Sequence, residues 1–223
     1  LSGGSGADRF IFAAGDSHTT VNTASATVRG YDKIIDFKVA QNDVIALQVP
    51  KVIPANANSG VANTQNDGSI TINGAEIKSH SISGGIITFA SSATFASGSE
   101  VDLNAAANTA SNNPDRRLAA AVEYLQANDL GAPGSTIGFT ANGNSYIYQQ
   151  VGANPDPAND LLIELTGVSA GNLATILSTQ IVNQAPPIVL DLDGDGLSFL
   201  SRADGVAFDY MGNGERLGTG WVG

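Results

Sequence analysis

The clearest chemical pattern in the sequence is a run of alternating carboxylates, Asp191-Leu192-Asp193-Gly194-Asp195-Gly196. Carboxylates at relative positions 1, 3 and 5 of a tight turn point their oxygens inward, as a hard cation requires. The glycine at position 6 permits the sharp turn that lets the carbonyl oxygen of Leu197 join the ligand shell. Asp191, Asp193 and Asp195 would repel one another strongly without a cation. The spacing therefore predicts a calcium site, and the competing interpretation is an acidic surface turn.

The loop departs from the EF-hand pattern at position 12, where a bidentate Glu is expected and Arg202 stands. Another group must complete the shell, and the candidates are Asp204, Asp209 and Glu215. The missing ligand indicates weak, extracellular-type binding, with a Kd on the order of 10⁻⁵–10⁻³ M.

A second, poorer loop begins at Asp209, with Asn213 at position 5 and Gly214 at position 6. Position 3 is Met211, whose thioether is not a ligand for a hard cation. We leave open whether this loop binds calcium.

A glycine-rich nonapeptide, Gly3-Gly4-Ser5-Gly6-Ala7-Asp8-Arg9-Phe10-Ile11, matches the pattern G-G-x-G-x-D-x-U-x at each position. In this pattern the glycine half-turn exposes carbonyls, Asp8 supplies a carboxylate, and Phe10 points into a parallel β-roll. One repeat provides half of a calcium site, because a neighbouring turn supplies the remaining ligands. The alternative is a glycine-rich turn that simply precedes a strand.

The nonapeptide is followed by Tyr31-Asp32-Lys33-Ile34-Ile35-Asp36-Phe37 and by Asn42-Asp43-Val44-Ile45-Ala46-Leu47. Together these segments resemble the exit of a β-roll in the RTX family of calcium-binding repeat proteins. In that family a D-x-I-x-D-F segment and then a D-x-I-x-L segment seal the roll. The resemblance implies that Asp8 and Asp36 help to bind calcium.

Two further stretches carry a similar resemblance. The stretch from Leu118 to Leu177 resembles the capping regions after RTX arrays in bacterial surface proteins, which show a helix, a G-N-x-Y hairpin and a D-L-L-I-E-L-T-G strand. The stretch from Pro187 to Val222 resembles the opening of modules in large RTX adhesins and RTX self-processing proteins. Residues 51–110 match neither.

The charge and the cysteine count of the sequence exclude several classes of function. The 223 residues include 21 acidic and 10 basic side chains, for a formal charge of −11. Such a field repels nucleic acid and anionic membranes and attracts cations. The chain has no cysteine, which excludes disulfides and thiolate metal sites. No apolar run approaches the ~18 residues that span a bilayer. Neither end of the sequence has the run of polar residues that is usual at natural termini. We therefore expect the sequence to be a segment of a longer polypeptide.

The secondary-structure pattern is mostly that of strands, because short apolar runs rich in β-branched and aromatic residues alternate with Gly and Asp turns. A helix is predicted from Pro114 to Asn128, capped by Asn113, and a shorter one over 172–179. A hairpin is predicted to turn at Asn142-Gly143. We expect a mainly β protein: the end of a parallel β-roll (1–50), a β-rich capping domain with one or two helices (51–183), a linker (184–187) and a short calcium-loop tail (188–223).

Self-processing is the enzymatic alternative that the RTX resemblance raises. In that family calcium drives cleavage of an Asp-Pro bond directly before the L-D-L-D-G-D-G run. Here Ala185-Pro186-Pro187 occupies those positions, so the scissile aspartate is missing. The one Asp-Pro bond, Asp156-Pro157, lies upstream and is interpreted as an ordinary turn.

A second enzymatic pattern, Gly167-Val168-Ser169-Ala170-Gly171, fits the nucleophile elbow G-x-S-x-G. Both histidines, His18 and His80, precede Ser169, whereas the hydrolase order places the histidine last. We therefore expect a turn in which Ser169 caps a helix. The histidines themselves are predicted in loops or on the surface.

The sequence thus predicts a non-enzymatic, calcium-binding structural segment of a secreted or cell-surface RTX-type protein, such as an adhesin or surface-layer protein exported by type I secretion. Its expected partners are calcium ions and the neighbouring repeats and modules of the same polypeptide. We expect Tyr146, Tyr148 and Trp221 to belong to the core, and a carbohydrate- or cell-binding module, in which they would stack on sugars, is a further alternative. Neither nucleic-acid binding nor a membrane span is expected.

Overall fold

A computed structural model of the chain describes residues 1–58, 69–105, 115–154 and 156–183, together with the backbone pairing of 207–208 with 217–218. The chain divides into two compact units, Leu1–Gln184 and Ala185–Gly223. The described residues are mainly β, as the sequence predicts. Their strands are β1 (Arg9–Phe12), β2 (Thr20–Asn22), β3 (Thr27–Arg29), β4 (Asp32–Ile34), β5 (Val44–Leu47), β6 (Ala57–Asn58), β7 (Ile70–Ile72), β8 (Ala75–Ile77), β9 (Ser79–Ser83), β10 (Ile86–Ala90), β11 (Ser135–Ala141), β12 (Asn144–Gln150), β13 (Leu161–Leu165), β14 (Ile181–Asn183), β15 (Ala207–Phe208) and β16 (Leu217–Gly218).

The largest sheet has seven strands in the order β4-β13-β12-β11-β10-β9-β6. Its centre is the predicted hairpin of β11 and β12, which turns at Asn142-Gly143. Both turn residues have positive φ, 51° and 77°, as the tight turns that match strand twist require. This prediction is confirmed.

The predicted helix is confirmed as α1 (Arg116–Ala127), while Asn113 and Pro114 lie outside the described residues. Leu118, Ala121, Val122 and Leu125, which recur at helical spacing, are buried, and Ala119, Ala120 and Tyr124 are buried with them, so most of the circumference of α1 is enclosed. These residues belong to the first hydrophobic core, which includes Phe89, Phe139 and Tyr146 from the large sheet. The second predicted helix is short: α2 (Leu173–Thr175) continues as a π-helical turn, Ile176–Gln180.

A second sheet joins three parallel strands in the order β1-β5-β14, with Phe10 opposite Ile45 and Ile45 opposite Ile181. These side chains lie in the second hydrophobic core, below 8 % exposed. Three strands in one sheet do not make a roll, so the described residues do not show the predicted parallel β-roll.

The predicted segments 1–50 and 51–183 share both sheets. β4 pairs with β13, and β5 pairs with β14. The sequence boundary at residue 50 therefore falls inside one compact unit. No helix among the described residues is long and apolar enough to cross a membrane.

Candidate calcium site

The first turn of the chain is organised by the carboxylate of Asp36. Its Oδ1 accepts a hydrogen bond from the backbone N–H of Gly3 at 3.1 Å. Its Oδ2 accepts from the Ser2 hydroxyl at 2.6 Å and from the Gly4 N–H at 2.8 Å. These hydrogen bonds hold the pKa of Asp36 below its usual value, and the one from Ser2 has the largest effect. Asp36 therefore stays ionised, and Oδ1 keeps one acceptor position for a further ligand.

The second predicted ligand from this region, Asp8, lies against the same turn. A Cβ atom added at Gly3 would collide with the Asp8 side chain, so glycine is required there by space. The Oδ2 atom of Asp8 is buried and has no hydrogen-bond partner among the described residues. A buried carboxylate oxygen without a donor is costly, and a cation is one group that would satisfy it.

Asp43 fixes the position of Asp8, and the sequence motif did not single it out as a site residue. Its side chain is 1 % exposed. Oδ1 accepts from the Asp8 N–H at 3.0 Å, and Oδ2 accepts from the Lys38 N–H at 2.8 Å. The start of β1 is thereby tied to the start of β5. The sequence did hold a signal for this role of Asp43, which directly precedes the largely buried strand β5. An aspartate at such a position can accept hydrogen bonds from backbone N–H groups that the strand leaves unpaired.

The structure thus places the side chains of both Asp8 and Asp36 next to Gly3. In the ranges that the structure describes, no three His, Cys, Asp or Glu side chains form a group that could hold a metal. Two carboxylates supply part of the six to eight oxygen ligands that calcium takes. The expectation that one glycine-rich turn contributes half of a calcium site stays a prediction.

The predicted tail ligands cannot be placed in the same way. They lie outside the described residues, and their predicted role rests on the sequence alone: Asp191, Asp193, Asp195, Leu197, Asp204, Asp209 and Asn213.

Ser169 lies in an exposed turn, at the position preceding a short 3-10 turn (Ala170–Asn172). Its carbonyl accepts from the Asn172 N–H at 3.0 Å, but its side chain makes no capping hydrogen bond. The predicted capping by the Ser169 hydroxyl is therefore wrong, although the turn itself is present. The described residues show no histidine hydrogen-bonded to Ser169.

His80 is not a surface residue, and that prediction is wrong. It lies on β9 with 2 % exposure, and its Nδ1 is 2.9 Å from the hydroxyl of Tyr124 on α1. Burial lowers the pKa of His80 to about 4. Serines alternate with His80 and Ile82 along this strand, so His80 lies on the same face as the buried Ile82, and that period-2 pattern was the available signal. His18, in contrast, is exposed as predicted.

The Asp156-Pro157 bond lies in a hydrogen-bonded turn. Asp156 Oδ1 accepts from the Ala158 N–H at 3.2 Å, and its carbonyl accepts from the Asp160 N–H at 2.8 Å. Its carboxylate is thus engaged in the turn, as expected for an ordinary loop. Tyr146 and Tyr148 are each 1 % exposed and belong to the core, so neither can stack on a sugar.

Comparison with known proteins adds no identification to this geometry. No family model, no curated protein and no solved structure matches the chain. The relation to RTX proteins therefore stays a prediction from the sequence, and the turn around Gly3 is the part of the predicted site that the structure describes.

Proposed function

We propose that this chain is a calcium-binding structural segment of a secreted or cell-surface, RTX-type bacterial protein that folds on calcium after export. The observation that carries the proposal is the buried, unpaired Oδ2 of Asp8 beside the Asp36-bound glycine turn. A neighbouring calcium ion would offset the cost of burying that oxygen.

The charge of the chain supports the same function. With 21 acidic and 10 basic residues, the compact state repels itself unless cations neutralise part of the charge. Free calcium inside a cell is too low to fill weak sites, and the chain would stay loose enough for export. In extracellular calcium each filled site stabilises the folded form, by about 2.7 kcal/mol at a hundredfold excess over Kd.

The role of such a segment within an adhesin or surface-layer-like protein is structural. The Asp191–Asp195 loop would add the stronger clamp, since its three carboxylates match the first half of a calcium loop. No specific observation favours self-processing or sugar binding over this role.

The test is calcium titration calorimetry of the full chain, compared with Asp8→Asn. We expect the wild-type chain to bind calcium and Asp8→Asn to lose one binding event. Asp102→Asn is the matched control, because Asp102 is an exposed carboxylate that accepts from the Asn104 N–H in another loop. It should bind as the wild-type chain does.

Two results would contradict the proposal. The first is an absence of calcium binding by the wild-type chain at millimolar concentration. The second is a melting temperature that does not change when calcium is removed by a chelator.

A further inference from the structure

A lysine, a glutamate and an asparagine meet across three adjacent strands of the large sheet. Lys33 on β4 lies opposite Glu164 on β13, and Asn144 begins the next strand, β12. The Nζ of Lys33 is 3.0 Å from Glu164 Oε2. The Nδ2 of Asn144 donates to Glu164 Oε1 at 3.3 Å. One carboxylate therefore bridges an amine and a carboxamide.

Glu164 is held firmly in this position. Its side chain is 4 % exposed, and it also accepts from the Tyr146 hydroxyl at 3.1 Å and the Thr166 hydroxyl at 2.9 Å. Burial alone would raise the pKa of Glu164, but the hydrogen bonds from Lys33 and Thr166 outweigh it, and the pKa lies below its usual value. Glu164 is thus an ionised proton acceptor in contact with both nitrogen atoms.

The amide of Asn144 is polarised from its other side. The backbone N–H of Gly167 donates to Asn144 Oδ1 at 2.9 Å. A fixed donor on a carbonyl oxygen stabilises the negative charge that develops there when a nucleophile adds to the carbon. Asn144 therefore has an oxyanion donor on its oxygen and a proton-transfer group at its nitrogen.

We propose that Lys33 and Asn144 form an intramolecular isopeptide bond, with Glu164 as the proton-transfer residue. The Lys33 ammonium gives one proton to Glu164, and the freed Nζ adds to Cγ of Asn144. Glu164 passes that proton to Nδ2, the Cγ–Nδ2 bond breaks, and ammonia leaves with the carbonyl re-formed. The second proton lost by Nζ is taken up by ammonia, giving an amide and an ammonium ion without any oxidant or co-reactant.

The surroundings of Lys33 favour the protonated form of its amine. Its side chain is half exposed, and Nζ lies 5.0 Å from the centre of the Tyr31 ring. Partial burial alone would lower the pKa of Lys33, but its interactions with Glu164 and Tyr31 outweigh it and the pKa lies above its usual value. Lys33 is therefore an ammonium in the folded chain, and it must give up a proton to Glu164 before Nζ can add to Asn144.

The bond would join β4 to β12 across β13, which tethers the N-terminal strands covalently to the central hairpin. This activity is separate from calcium binding, because none of its residues belongs to the calcium site.

The test is the intact mass of the aged full chain, followed by peptide mapping. We expect a mass lower than that of the sequence by one ammonia, and a branched peptide in which Lys33 is linked to Asn144. Lys33→Arg, at a half-exposed position, should restore the full mass without unfolding the chain. Lys78→Arg is the matched control, since Lys78 pairs with Glu76 at 3.0 Å in a pair without an asparagine, and it should keep the deficit.

A folded wild-type chain with the full sequence mass would overturn the proposal. So would a deficit that persists in Lys33→Arg, because succinimide formation at Asn73-Gly74 or Asn142-Gly143 also releases ammonia and needs no lysine. A Glu164→Gln variant is also informative, once circular dichroism shows that it is folded. If this variant still forms the branched peptide, Glu164 is not the proton-transfer residue.

Discussion

The α-carbon of Gly3 lies directly against the side chain of Asp8, with no space between them for a Cβ atom. The backbone of Gly3 does not have positive φ, unlike Gly4 and Gly6, so space and not backbone strain requires glycine here. Because the Gly3 N–H donates to Asp36, both carboxylates contact the same residue.

We expect Gly3→Ala to weaken calcium binding by about tenfold or more, as displaced supporting groups do at metal sites. The new methyl group must push Asp8 away from the turn. Calcium calorimetry measures the effect, and Ser5→Ala, exposed in the same turn, is the control. Equal calcium affinity of Gly3→Ala and the wild-type chain would show that Asp8 does not bind the ion from this position.

Protonation of Asp36 in acid should weaken the hydrogen bonds that its carboxylate accepts from Ser2, Gly3 and Gly4. The lowered pKa of Asp36 means that its hydrogen bonds contribute stability above the pKa of the unfolded chain, and this contribution is lost as pH falls through the folded pKa. In calcium-free NMR titrations, the amide shifts of Gly3 and Gly4 should move with a midpoint below the usual aspartate value. Asp36→Asn should abolish that movement, and its persistence would assign the titration to another group.

His80 should make the chain less stable in mild acid. The unfolded imidazole takes a proton near pH 6.5, whereas the buried one takes it only at about 4. Stability is therefore lost as pH falls from 6.5 towards 4, by roughly 3 kcal/mol at the lower limit. Urea unfolding at two pH values within this window measures the loss.

His80→Gln should remove most of this pH dependence, because glutamine does not titrate. His18→Gln, at an exposed position, is the control and should retain it. An identical pH dependence in His80→Gln and the wild-type chain would mean that other groups cause the acid sensitivity.

Asp193→Ala should remove one calcium-binding event from the tail loop without affecting the event that depends on Asp8. Loss of one of three alternating carboxylates leaves too few oxygen ligands for a weak site. Calorimetry of Asp193→Ala, Asp8→Asn and the double variant should give additive losses, since the two sites share no ligand. An unchanged stoichiometry in Asp193→Ala would contradict the tail site.

Elements set by local pattern were predictable from the sequence. The apolar period of α1 and the Asn142-Gly143 turn between β11 and β12 are short-range signals, and both elements lie where they were predicted. The glycine nonapeptide likewise pointed to Asp8 beside a turn. These features depend on residues within a few positions of one another.

Features set by long-range pairing were not predictable. Asp43 acts on Asp8, 35 residues away, and His80 meets Tyr124 at a separation of 44 residues. The contact of Lys33 with Glu164 exists only because β4 pairs in parallel with β13. Nothing in the local sequence specifies these partners, because sheet order is decided by the packing of the two cores.

The parallel sheet has a consequence for the order of assembly. β5 lies between β1, near the start of the chain, and β14, at the end of the first unit. The middle strand therefore has both neighbours only after residue 183 has been synthesised. Such distant pairing slows folding, because more than a hundred residues separate β5 from β14 along the chain.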